Sequence, residues 1–253
     1  MNLFSRIWNS SLGKKYIMAV TGFALFVFVV GHMVGNLQIF LGPEAINRYG
    51  SFLQNLGEAL WAARLGLLAM VVLHIVSAVR LTAENRAARG VGYDSYKPVG
   101  STYASRTMMM SGLIIFAFII YHLLHFTVQN EAINFTGKSF ENLHDEKGRH
   151  DVYAMMINGF SPKVWWVSVF YIIAMALLCL HLSHGVSAMF QSLGWKKNYY
   201  KALLDKGAKL IAILIFAGYV SIPIAILLGY GKSYLEKPIG TGPTQFVPAG
   251  GAR

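Results

Sequence analysis

Eight histidines stand in this chain of 253 residues, and their placement is uneven. His144 and His150 fall in a stretch mixing both charges, where solvent accounts for them. The other six fall inside long apolar runs: His32 in the first, His74 in the second, His122 and His125 in the third, His181 and His184 in the fourth. An imidazole at such depth has to meet a polar partner, a cavity or a metal. The chemistry open to it is therefore hydrogen bonding, proton handling or axial ligation.

The elements that carry these residues follow from composition. The chain is 55% hydrophobic and 13% charged, and about 20 consecutive apolar residues cross a bilayer as a helix. Five runs qualify, at about 16–40, 61–82, 107–128, 164–190 and 210–228. Glycines and Pro223 inside them are tolerated in membrane helices. No strand-like alternation occurs, so the expected fold is an all-α integral membrane protein. The first run is too long for the apolar part of a signal peptide and lacks an A-x-A-like cleavage site. Residues 1–230 are read as one transmembrane domain and 231–253, rich in Gly and Pro, as a tail with little structure of its own. The stretch "VYAMMINGF" between the third and fourth runs has helical potential. No internal repeat is evident.

Depth then sorts the histidines. At about 1.5 Å per residue, His32 lies about 25 Å beyond Lys15 and His122 about 24 Å beyond Arg106. Both helices run in the same direction, so the two residues share a level. His74 precedes Arg80 by only six residues and His181 follows Trp165 by 16; on helices running the opposite way they share a second level. Four helices thus supply two cross-bundle pairs, as bis-histidine ligation of two stacked haems requires. The small residues Gly31, Gly35, Ser77, Ala78 and Gly185 near these histidines would let a flat macrocycle approach the backbone, and would equally serve helix packing. His125 and His184 are read as partners of a propionate, a quinone or a backbone carbonyl.

Other residue types narrow the function. Cys179 is the one cysteine, which excludes a cysteine-held iron–sulfur cluster, a disulfide within the chain or covalent c-type haem attachment. The apolar interiors contain no Asp or Glu, which argues against a carboxylate-based ion-coupled transporter. Of the 22 Lys and Arg, 13 fall on the face holding the N-terminus and the loops near 81–106 and 191–209, beside only three of the 11 acids. The positive-inside rule makes that face cytoplasmic and puts the C-terminus outside. The net charge of +11 is accordingly read as topology and contact with anionic lipids, not as nucleic-acid binding.

The motifs "GHMVGNLQ", "LHIVSAVRL", "SGLIIFAFIIYHLLHF" and "LHLSHG" resemble those of the five-helix, two-haem cytochrome b anchor of succinate dehydrogenases and fumarate reductases, in the family's order over nearly the whole chain. The resemblance implies a four-helix bundle of helices one to four around two b haems. His32 and His122 would ligate the distal haem and His74 and His181 the proximal one. Gly112, ten residues earlier, selects His122 over His125, and the H-x-S-x-G pattern selects His181.

The resemblance also implies an iron–sulfur subunit docked on the basic face, a flavoprotein with covalent FAD, a bacterial inner-membrane location, a dimer of heterotrimers and a quinone, menaquinone above all, near the distal haem. Asn36, Gln38, Gln54 and Glu58 lie at the right end for that quinone. Glu58 is the candidate proton-handling group, unless it is a plain solvated loop acid. Arg80, Arg106 and Lys196, with Ser105 and Tyr103 as hydrogen-bond donors, are candidates for the propionates or else ordinary rim residues. Two other readings stay open from sequence: a cytochrome b subunit of a nitrate reductase or hydrogenase complex, and a haem-free membrane scaffold.

Overall fold

A computed structural model of the chain describes residues 2–88 and 101–236. Most of the C-terminal tail and the middle of the basic loop after the second run lie outside those residues.

The described chain is helical, and apolar composition explains why. In hydrocarbon a backbone must satisfy its own hydrogen bonds, which a helix does within one segment. Five spans result, with α1 (Leu3–Asn9) lying before the first. The first span is α2 (Ser11–Leu37), finished by a 3-10 turn over Gln38–Leu41. Ser10 caps its start by accepting from the Gly13 N–H at 2.9 Å. After α3 (Pro43–Gln54) come α4 (Glu58–Ala87) and α5 (Tyr103–Arg106). The third span is α6 (Met108–His122), continued by a π turn over Leu123–Thr127. Short α7 (Glu131–Asn134) and α8 (Val152–Gly159) precede the last two spans, α9 (Trp165–Ser192) and α10 (Lys201–Leu227), and α11 (Lys232–Glu236).

The expected spans are all present, with shifted ends. α10 begins nine residues before the apolar run it carries, because its first turns are the polar "KALLDKGAK", which can be helical outside hydrocarbon. "VYAMMINGF" is α8, as its composition leads one to expect. The helix α3 is not among the sequence expectations, although its start carries Pro43 in the first turn and an acid, Glu44, beside it. Both are helix-start signals.

Four spans form a ring: α2 packs on α4 and α9, α6 packs on α9 and more lightly on α4, and α10 lies outside against α9 and α2. This leaves α2 opposite α6 and α4 opposite α9. At one end α3 and α8 pack together and form a cap, which marks the upper end of the bundle. The α8 segment and its flanks from Asp151 to Phe160 are almost wholly buried, so this part of the longest loop belongs to the core, while residues 136–150 are mostly exposed or half-buried. α10 is fastened to α2 by hydroxyls: Tyr219 donates to the Val29 carbonyl at 2.8 Å, and Tyr230, just past the helix, donates to the Ile39 carbonyl at 2.9 Å.

Candidate functional site

The diagonals of the ring are where the histidines meet. His32 on α2 and His122 on α6 place their ring centres 5.8 Å apart, edge to face. His74 on α4 and His181 on α9 place theirs 6.5 Å apart. Both separations match two imidazoles on opposite sides of one metal, since bonds of about 2.0 Å put the ring centres roughly 6 Å apart.

Register explains the two levels. Thr21 on α2 hydrogen-bonds His74, and Ser111 on α6 hydrogen-bonds His181. His32 follows Thr21 by 11 residues and His122 follows Ser111 by the same 11. Parallel helices with equal spacing lift the second pair above the first by about 16 Å. The four rings are half-buried, although they lie mid-span.

The ring nitrogens show how each imidazole is held. His74 Nδ1 lies 3.1 Å from Thr21 Oγ1 and His181 Nδ1 lies 3.3 Å from Ser111 Oγ. His122 Nδ1 lies 3.3 Å from the Tyr171 hydroxyl. His32 is held by stacking on Phe28, ring centres 5.3 Å apart. One turn after His74, Ser77 is fully buried and its hydroxyl has no partner. An orphaned hydroxyl in the bundle interior, beside an imidazole pair spaced for axial ligation, fits a polar or metal-bearing group. Two imidazoles per level complete the coordination of a metal already held by a macrocycle, so the donor set fits b haem.

His125 and His184 are not equivalent to these four. His125 is completely buried, its Nδ1 lies 3.0 Å from the same Tyr171 hydroxyl, and its Nε2 is unpartnered. It sits on the π turn, against Phe126, with ring centres 3.9 Å apart. His184 lies one turn below His181, near the Lys196–Asp205 pair.

The remaining candidate residues divide between the two ends. At the upper end, Asn36 donates to the His32 carbonyl at 2.7 Å. Gln38 lines a shallow cavity of about 300 Å³ with Ala45, Arg48, Tyr49 and Phe52. Gln54 and Glu58 are exposed, and Glu58 opens α4. At the lower end, Lys196 is held at 2.6 Å by both Asp205 and Ser187. The Arg80 guanidinium stacks over Trp8 at 5.0 Å. Tyr103 is exposed, Ser105 donates to the Thr102 carbonyl at 2.8 Å, and Arg106 reaches the Ser101 carbonyl at 3.4 Å. Gly35 accommodates Tyr49, whose ring a Cβ there would approach to 2.7 Å. That glycine lets α3 pack closely on α2.

Electrostatics outside the spans belong to the cap. Arg149 donates to Glu44 at 2.7 Å and to Asp145 at 2.8 Å, and Lys147 donates to Glu44 at 3.0 Å. Hydrogen bonds from Arg149 and Lys147 bring the Glu44 carboxyl down to about 2. Burial alone would raise Asp145, but the bonds from Arg149 and the nearby backbone outweigh it and leave the group below its ordinary value. His150, expected in solvent, is half-buried and contacts Gln129 at 3.0 Å; burial lowers its proton affinity.

A ring of membrane-spanning helices with histidines paired across both diagonals defines a multi-pass helical membrane protein. Residues 93–220, just over half of the chain, match the succinate dehydrogenase/fumarate reductase transmembrane subunit family. The chain belongs to that family, and its role is that of a membrane-anchored subunit of such a complex. No curated protein and no solved structure matches it significantly.

Proposed function

We propose that the chain is the electron-transfer anchor of a succinate:quinone oxidoreductase, holding two b haems between an iron–sulfur partner and a membrane quinone. The observation that carries this reading is the pair of diagonal imidazole contacts, 5.8 and 6.5 Å between ring centres, at two levels of one bundle. His32 and His122 would hold one haem, and His74 and His181 the other. When bound, the haems supply one-electron carriers at two depths of a hydrocarbon core about 30 Å thick.

The protein's own part is to orient imidazoles and to keep the surroundings dry. Apolar side chains line the spans, while hydroxyls on neighbouring helices hold the His74, His122 and His181 rings. The basic lower face is proposed as cytoplasmic, where it would dock the iron–sulfur subunit, and the cap as external, in a bacterial inner membrane. Dicarboxylate chemistry would then belong to a flavoprotein partner with covalent FAD. The quinone, proposed as menaquinone, would bind at the upper end, where Gln38 lines a cavity and Glu58 stands ready to exchange protons.

A redox-titrated visible spectrum of the purified complex tests the proposal. Two b-type haems per chain are expected. His32→Ala or His122→Ala should remove one, and His74→Ala or His181→Ala the other. A spectrum without haem, or one that ignores all four substitutions, would overturn it.

A further inference from the structure

The lower histidine pair is held by two hydroxyls placed in the same way on two different helices. Thr21 and Gly22 of α2 face His74 on α4; Ser111 and Gly112 of α6 face His181 on α9. In both cases a Cβ on the glycine would meet the histidine Cε1, at 3.2 Å for Gly22 and 3.4 Å for Gly112. The missing side chain is what lets the ring reach the hydroxyl beside it.

Each hydroxyl has one proton, and each has a backbone acceptor for it. Thr21 Oγ1 donates to the Ile17 carbonyl at 2.7 Å, and Ser111 Oγ donates to the Met108 carbonyl at 3.1 Å. A carbonyl can only accept, so the hydroxyl's proton goes there and its lone pairs face the imidazole. With the hydroxyl's proton on the carbonyl, the histidine Nδ1 is the donor, and His74 has the Met18 backbone carbonyl as a second acceptor. A neutral imidazole with its proton on Nδ1 has its free lone pair on Nε2.

We propose that Thr21 and Ser111 are positioning residues that fix His74 and His181 in the Nδ1–H tautomer, so that both present Nε2 to the metal of the lower haem. Their role rests on the two-haem reading of the bundle. A hydrogen bond accepted from the far ring nitrogen also makes the ligating nitrogen more basic. That favours the ferric state and lowers the midpoint potential of the haem so held. The upper pair differs: Tyr171 shares its single hydroxyl between His122 and His125, and His32 rests on Phe28.

The test uses the complete complex in detergent, with Thr21→Val, Ser111→Ala and Thr21→Ser, read by optical redox titration and by the low-spin ferric signals in electron paramagnetic resonance. Thr21→Val and Ser111→Ala should each raise the midpoint of the lower haem and shift its ferric signal while leaving the upper haem unmoved. Thr21→Ser, which keeps the hydroxyl, should restore wild-type values. If Thr21→Val loses the lower haem altogether, retention in Thr21→Ser supports the hydroxyl's role, and loss in both overturns it. Two haems in the wild type with an unmoved lower midpoint in both deletion variants would overturn this inference alone. A wild-type complex without haem would overturn it together with the reading on which it rests.

Discussion

Asn47 and Asp151, 104 residues apart in sequence, are joined by a buried hydrogen bond of 3.0 Å from the Asn47 amide to the Asp151 carboxylate. The same Asn47 accepts from the Tyr153 backbone N–H at 2.9 Å, and Asp151 accepts from the Ala154 N–H at 2.9 Å as the N-cap of α8. One side chain therefore ties α3 to the start of α8. Asn47→Ala would leave the buried Tyr153 N–H without its acceptor, at a cost of about 1–3 kcal/mol. We expect a clear fall in the unfolding temperature of the detergent-solubilised protein, and an unchanged melt would show that the cap does not limit stability.

At the opposite end Lys14, with its side chain 1% exposed, reaches Glu84 at 3.0 Å and the Trp8 carbonyl at 3.1 Å. Removing the acid leaves a buried cation short of a partner. Because Glu84 is 46% exposed, solvent screens part of the loss, and Glu84→Gln should cost about 1–2 kcal/mol. Lys14→Met removes the charge while keeping the chain's bulk and should be milder. Paired thermal melts decide the order, and a more damaging Lys14→Met would refute it.

Acid should loosen the cap through Glu44. Its proton affinity is depressed from an ordinary value of 4.5 to about 2 by Arg149 and Lys147, so the unfolded chain binds the proton more readily than the folded one. The contribution is fully present above 4.5 and is lost as pH falls toward 2. Glu44→Gln should remove that part of the pH dependence of cap hydrogen exchange. Identical acid profiles in wild type and variant would contradict the assignment. Asp145, shifted in the same direction, should leave a residual slope.

Tyr171 serves two imidazoles, and Tyr171→Phe would leave completely buried His125 with both ring nitrogens unpartnered. A loss of about 1–3 kcal/mol is expected, together with a changed spectrum for the haem assigned to His122. Wild-type stability and spectrum in this variant would show that the shared hydroxyl is incidental.

Glu58→Gln tests the upper end. If Glu58 handles protons for the quinone, turnover should fall by about 100-fold with both haems retained. Full turnover would remove it from the mechanism.

How much of the molecule is legible in its sequence depends on the range of the interaction. The spans are legible because a bilayer demands long apolar runs, and the histidine pairs because helical rise converts sequence spacing into depth. Hydrogen bonds between helices have no such ruler. Thr21 and Ser111 therefore do not stand out, although a hydroxyl and a glycine lie in identical register before His32 and His122, a local repetition that a search for long repeats passes over. The cap is hidden for a related reason: Asn47 and Asp151 are ordinary polar residues until the fold brings them together. His125 shows the same limit, since its partner is Tyr171, on another span.

The fifth span carries no histidine, yet it constrains one. The carbonyls of Val29 and Ile39 that receive Tyr219 and Tyr230 bracket His32 from below and above. Any axial slip of α2 relative to α10 must break both bonds together. The outlying helix thus works as a splint, and it gives His32, whose ring is steadied by contacts with other rings rather than by a hydrogen bond to a side chain, a backbone of low mechanical compliance.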